Sequence, residues 1–367
     1  MSDCKVLKKI EYLTDLISQE DCCTNANIVC IHGNVTEVVF KDLGTESLFD
    51  NSIFDLLYLT KLDLSGNSLT GEVKKFSSSL KDIDLSMNNL ASTLPELPPQ
   101  LESIKLDNNN FYGSLPVFPD SLQVFQSPYT NFDGYLPELP ANLLILNLVS
   151  NYLNINLTKL PQSLVELSLS INQPSRNDDE AYQSKLPMLP STLTKLHCSS
   201  CNFYSDLPLL PNSLVDIDLS YNQLTGNISV SEPRKLWIKE SKFTYLFINS
   251  TSEIEYCDIS NNDFIRSDIS IYTDVCEALN MKDDKKFEFE VPEQTSLNSQ
   301  PTRLDEPLGN QFNISVGFLL AFGAFVLVLI VIFVVIKLLL MIKAKKLFHR
   351  PTPTFGRQRV NSDPEIV

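Results

Sequence analysis

The chain has 367 residues, 43% of them hydrophobic, enough to bury one large core or two ordinary ones. Its formal charge is −16, which argues against nucleic acid as a partner, because an acidic surface repels a polyphosphate. Proline outnumbers glycine, 21 to 11, the reverse of ordinary usage, so segments that make no ladder hydrogen bonds are expected.

Residues 1–34 hold four of the eight cysteines, Cys4, Cys22, Cys23 and Cys30. The adjacent Cys22 and Cys23 are poor partners for each other, but sequence alone leaves the connectivity open. The opening MSDCKVLKKIEYL has no apolar run of the length an export leader needs.

A repeat follows. Leu59, Leu80, Leu101, Leu122, Leu143 and Leu164 stand 21 residues apart, and Leu193 and Leu214 continue the series. LTKLDLSGNSL, LKDIDLSMNNL, LESIKLDNNNF, LLILNLVSNYL and LVDIDLSYNQL place apolar residues first, fourth, sixth and eleventh, with Asn ninth. Positions four and six of a short strand face inward while three, five and seven face outward. No such unit buries its apolar edge alone, so neighbours must stack around one core and a parallel sheet. The ninth residue, as in Asn67, Asn88, Asn109, Asn151 and Asn222, is placed to satisfy backbone groups of the turn. Between the strands lie Pro95/Pro98, Pro116/Pro119, Pro137/Pro140, Pro187/Pro190 and Pro208/Pro211. They predict an extended outer return with no room for a helix.

This pattern resembles the leucine-rich repeat over about Val35 to Phe264, roughly eleven units. The LPxLP wording is closer to the short bacterial-type repeats than to the 24-residue plant type. The expected fold class is an α/β solenoid, a leucine-rich-repeat arc with a parallel inner sheet and a mostly extended outer side, plus one transmembrane helix. Residues 1–34 resemble the N-terminal cap of plant-type leucine-rich-repeat receptors and polygalacturonase inhibitors, although TNANIV stands where that family has Trp and Gly. The resemblance implies pairs Cys4–Cys22 and Cys23–Cys30. Cys257, at a core position of the last unit, and Cys276 form a candidate C-terminal staple. Cys198 and Cys201 occupy repeat positions six and nine and read as structural thiols.

The outward strand positions are mostly charged: Lys61, Asp63, Asp82 and Asp84 early, Asp216, Asp218, Lys235 and Trp237 late. The middle units instead place Val124, Pro128, Tyr129, Ile145, Val149 and Ile171 there, a candidate ligand-binding patch. Next to it the spacing grows from 21 to 29 residues. The extra residues, Gln173 to Lys185 with Tyr182, read as a loop able to contact the same ligand. His32, His197 and His349 read as isolated, and the outward Asp residues as lacking a histidine partner. No catalytic constellation, metal site or cofactor is therefore expected.

The expected organisation is a cap (1–34), repeats (35–265), a C-terminal cap (266–280), a flexible stalk (281–313), a membrane helix (314–342) and a basic tail (343–367). Val316 to Ile336 is uncharged and nearly all apolar, long enough to cross a bilayer. Seven Lys and Arg follow it against Asp363 and Glu365, which places the tail in the cytosol beside anionic lipid and the repeats outside the plasma membrane. Sequons at Asn34, Asn156, Asn227 and Asn249 agree with export; Asn313 adjoins the span. The expectation is a type I protein whose leader is not shown, with tail anchoring as the alternative. RQRVNSDPE resembles a basophilic kinase site at Ser362.

Together these features predict a cell-surface receptor-like protein. It would bind an extracellular protein, peptide or glycan and signal only through a co-receptor or adaptor kinase. The alternatives are a surface adhesion or wall protein, which would keep its activity when residues after Lys346 are deleted, and a tethered enzyme inhibitor, which an inhibition assay would detect.

Overall fold

The computed structural model describes residues 2–278 apart from 15, 18–20, 45, 173–183, 266–267, 269–271 and 273. These all fall in the compact unit Met1–Glu288. Each repeat contributes a strand of three residues, too short to hold itself, so pairing between units builds the sheet. Twelve strands form it, from Ile28–Ile31 to Tyr256–Asp258. The first pairs antiparallel with Asn34–Val39 and every later neighbour pairs parallel. The register advances one unit per rung, so Lys61 stands opposite Asp82, Ser103 opposite Val124 and Val124 opposite Ile145.

Inward side chains form continuous columns. Leu62, Ile83, Ile104, Phe125, Leu146 and Leu167 are wholly buried at position four, and Phe111, Phe132, Phe203 and Phe243 at position eleven. Full burial of such a side chain contributes about 1.5–3 kcal/mol, and a unit achieves it only between two neighbours. The Phe111 and Phe132 rings stack at 6.3 Å, continuing the column from one unit to the next.

The prolines do more than keep the outer return extended. The carbonyls of Pro98, Pro119, Pro140, Pro161, Pro190 and Pro211 accept from the amides of Leu101, Leu122, Leu143, Leu164, Leu193 and Leu214. The proline three residues before each of these leucines thus opens a tight turn that aims the chain back into the next strand. Among the described residues between Leu56 and Phe264 there is no helix. The helical segments before that are Ser2–Leu7, Glu11–Thr14, Cys22–Thr24 and Asn51–Asp55. Among the described residues up to Phe264, the helical part of the expected α/β class is therefore at the N-terminal end.

Three lateral sheets of three short parallel strands each lie beyond the turns, built around Ser68–Gly71, Asn131–Tyr135 and Gln223–Val230. The sequence reading assigned no strands there. The ends are closed by Cys4–Cys22, Cys23–Cys30 and Cys257–Cys276. Among the described residues no helix is long and apolar enough to cross a membrane. The predicted span at 314–342, with the stalk and tail, lies outside the described residues.

The ninth-position Asn joins adjacent units. Asn109 donates to the carbonyls of Leu85 (2.8 Å) and Leu106 (3.1 Å) and accepts from the Leu90 amide (3.0 Å). Asn88, Asn151, Asn172, Asn222 and Asn262 donate in the same way to a carbonyl of their own unit and one of the unit before. The side chain replaces water for three buried backbone groups, each costing about 1–3 kcal/mol if left bare. Thr130 occupies this position in one unit and bonds Ser127 O and Asn151 Oδ1 instead; the Phe111 amide has no acceptor among the described bonds. Thr130→Asn should restore that bond and raise the thermal midpoint, whereas Asn109→Thr should lower it. Thermal unfolding monitored by circular dichroism checks both.

Candidate functional site

Outward positions three and five carry opposite charges on neighbouring strands, and the register makes them partners. Lys61 meets Asp82 at 3.5 Å and Lys105 meets Asp84 at 3.8 Å. Further along, Lys195 meets Glu166 at 3.9 Å, and Lys239, two residues past its strand, meets Asp258 at 3.2 Å. Exposed pairs of this kind contribute little stability, but they give the sheet a solvated, internally neutralised face. Between these two stretches lie Val124–Gln126 and Ile145–Asn147, which contain no charge. Val124 and Ile145 stand directly opposite each other, half-buried, with Val149 half-buried just past the second strand.

Tyr129 and Ile171 belong to a different row. The eighth residue of each unit, from Gly66 through Met87, Asn108, Tyr129, Ser150 and Ile171 to Asn261, lies at φ between 53° and 67°. This left-handed turn costs an L residue roughly 1–2 kcal/mol. It is held because the amides of Met87, Asn108, Tyr129, Ser150 and Ile171 donate to a carbonyl of the following unit. Tyr129 and Ile171 are consequently exposed at the rim of the sheet, beside the strand face rather than on it. They are two rungs apart, about 10 Å.

Pro128 is buried, so the surface expected from the sequence does not include it. It directly precedes the left-handed turn at Tyr129, and its carbonyl receives the Asn108 amide. Tyr182, with most of the expected loop, lies outside the described residues, as does Ser362. The sequons Asn156, Asn227 and Asn249 are exposed and Asn34 is half-buried.

The unit under the charge-free window departs from the repeat inside as well. Ser127 stands where its neighbours have leucine, is wholly buried, and lies 3.2 Å from the Thr130 hydroxyl. Phe125 replaces the usual aliphatic residue and packs on Phe118 at 4.6 Å. Irregular core, missing Asn and apolar window therefore coincide in one unit.

The sequence reading also failed at the far end of the face. His197 is not isolated: its Nε2 lies 2.7 Å from Asp216 Oδ1 on the next strand. Its ring meets Trp237 edge-on at 6.4 Å, and Trp237 stacks with Tyr256 at 6.2 Å. The signal was available, since position five of one unit and position three of the next are cross-strand neighbours. Scanning each unit separately conceals such diagonals. Cys198 and Cys201 are free thiols and buried; burial pushes the Cys201 thiol up, and its sulfur lies 3.2 Å from the Leu169 carbonyl.

A leucine-rich-repeat family model matches residues 58–78, one unit. Among solved structures, the Arabidopsis receptor kinase HAESA, in complex with the peptide hormone IDA and the co-receptor SERK1, is similar at 19% identity. That likeness covers 77% of this chain and 62% of that one, with a TM-score of 0.50. The plant peptide hormone receptor RGFR1 in complex with RGF2 is 17% identical over 68% of this chain and 51% of its own, at 0.49. YopM from Yersinia enterocolitica is 25% identical over 69% and 63%, at 0.39. The chain thus spans between half and two thirds of the length of these structures. No curated protein sequence matches the chain. The fold is that of a leucine-rich-repeat solenoid.

Asp107 sits at the edge of the window. Burial first, then repulsion from Asp84, pushes its carboxyl up to about 6 from 3.8, against the pull of Lys105; Oδ1 is buried without a partner. The folded state therefore holds the proton more tightly than the unfolded one. The resulting stabilisation is fully present below about pH 4 and is lost as pH rises through 6. Asp107→Asn should leave the midpoint unchanged at pH 4 and raise it at pH 7.5. Unfolding curves at the two values check this.

Proposed function

We propose that the protein is a cell-surface, receptor-like leucine-rich-repeat protein that binds an extracellular ligand across the inner face of its sheet. The observation that carries this reading is the charge-free window of Val124 and Ile145, bounded on both sides by paired charges. A regular solenoid has no structural need for it. Apolar side chains left on a face that is otherwise solvated lose free energy until a partner covers them. Val149, with Tyr129 and Ile171 on the rim, extends the surface, and Tyr182 belongs to the loop proposed to reach it. HAESA carries a peptide hormone and a co-receptor on the same fold, so a peptide ligand and a co-receptor are the first partners to test.

Export is supported by the three disulfides, which form in oxidising compartments, and by the exposed sequons. In this reading 314–342 spans the plasma membrane, the basic run after it lies on anionic lipid, and Ser362 is a cytosolic phosphorylation site. In this reading a partner kinase supplies the signal.

Two experiments test this. An epitope at the N-terminus should be accessible to antibody on intact cells and one at the C-terminus only after permeabilisation; the opposite pattern would refute the topology. A photo-crosslinking residue at Val124 or Ile145 should capture a defined extracellular partner that the same residue at exposed Leu209, on the outer return, does not. Equal capture at all three positions would remove the inner face as the binding surface.

A further inference from the structure

The lateral sheet built on Gln223–Val230 has an outer face whose composition is at odds with its exposure. In Lys242–Ile248, its edge strand, Tyr245 and Phe247 point outward and are 47% and 45% exposed. Two aromatic side chains on an edge strand are a liability for aggregation unless something covers them. Their register partners are Asn227 and Ser229, both exposed, and these are the first and third residues of the sequon Asn227-Ile228-Ser229. Parallel partners project to the same face about 4.8 Å apart, so the Asn227 carboxamide lies beside the Tyr245 ring. A second sequon begins at the exposed Asn249, two residues beyond Phe247 on the same strand path.

The juxtaposition recurs. Asn34, a third sequon, pairs with Ile31, 57% exposed, across the first hairpin. Tyr135, 68% exposed, stands opposite Asn154, two residues before the sequon Asn156. Asn227, Asn249 and Asn34 thus each have a large exposed apolar side chain on the paired or the same strand path.

We propose that the occupant of the Tyr245–Phe247 face is the protein's own N-linked glycan at Asn227, whose first sugar lies with its C–H face against the Tyr245 ring. The inference rests on the export reading above. In the attachment step the Asn227 carboxamide nitrogen bonds C1 of the first sugar of a lipid-diphosphate-linked oligosaccharide. The C1–oxygen bond to the diphosphate breaks, the lipid diphosphate leaves with the bonding electrons, and the amide loses one proton. The Ser229 hydroxyl, two residues on, completes the recognition signal. Modification precedes folding, so the position of Asn227 within a strand is no obstacle. Once the sheet forms, the register places the sugar over the aromatic pair. An apolar strip that would otherwise template association is thereby closed by a hydrophilic group attached one strand away.

The test uses the full chain expressed behind a cleavable export leader in eukaryotic cells, so its outcome does not depend on whether the native chain is exported. Glycopeptide mass spectrometry should find sugar on Asn227 in most molecules. Sugar at Asn34, Asn156 or Asn249 with Asn227 bare would overturn the proposal while leaving the export reading intact. No sugar at any sequon would overturn the proposal as well, while the export reading stands or falls on the epitope experiment above. In a cycle of thermal midpoints, Asn227→Gln should lower the midpoint by about 2–4 °C when Tyr245 is present. In the Tyr245→Thr background it should change nothing. Equal effects in both backgrounds would show that Tyr245 only packs the strand, and that the sugar does not rest on it.

Discussion

The carboxamide of the ninth residue is the interaction on which the rest of the structure depends. A strand of three residues and a return that begins with proline provide too few backbone hydrogen bonds to hold a 21-residue unit in place. The Asn side chain closes the gap by donating to two carbonyls, one in its own unit and one in the unit before, and by accepting an amide from that same earlier unit. Because each bond crosses a rung, stability is shared along the stack, as expected for a linear array with nearest-neighbour coupling. The columns of leucine and phenylalanine fill the space that this ladder encloses.

Strict repetition has a further consequence. It fixes where every side chain points, so function must be written as departures from it. The eighth position shows how far the backbone dictates terms: Met87, Tyr129, Ile171 and Tyr221 all hold a left-handed conformation that suits none of them well. They remain exposed because the turn leaves them nowhere else to go. At the third position charge prevails, as in Lys61, Asp82, Glu166, Lys195, Asp216 and Lys235, and Val124 and Ile145 are its aliphatic exceptions. The unit holding Val124 gives up its Asn, a core leucine and the usual aliphatic fourth residue together, and local rules are commonly broken in this concentrated way at functional surfaces.

Much of this was legible from residue types alone. Position within the unit predicted burial for the leucines, outward projection for Lys61, Asp82 and Val124, and a turn role for the Asn residues. A period of 21 leaves little freedom once the first strand is placed. What could not be read were relations across rungs. His197 and Asp216 lie in different units, and their contact follows from a diagonal that no single unit displays. Pro128 looked outward by parity, yet it is buried just before the left-handed turn at Tyr129. The lateral sheets escaped notice because most of their strands have five residues or fewer, and only the stacking of three units makes them strands. The pairing of Asn227 with Tyr245 is visible only after that register is known.

Native-state hydrogen exchange tests the ladder most directly. If Asn side chains carry the coupling between units, the amides of Leu90, Leu153 and Phe203, which Asn109, Asn172 and Asn222 accept, will exchange through the same slow opening as the strands. The Phe111 amide, facing Thr130, will exchange faster by a local route. Equal protection of Phe111 and those three amides would contradict the account, because the ladder would then be uninterrupted at the one unit where its breach coincides with the apolar window.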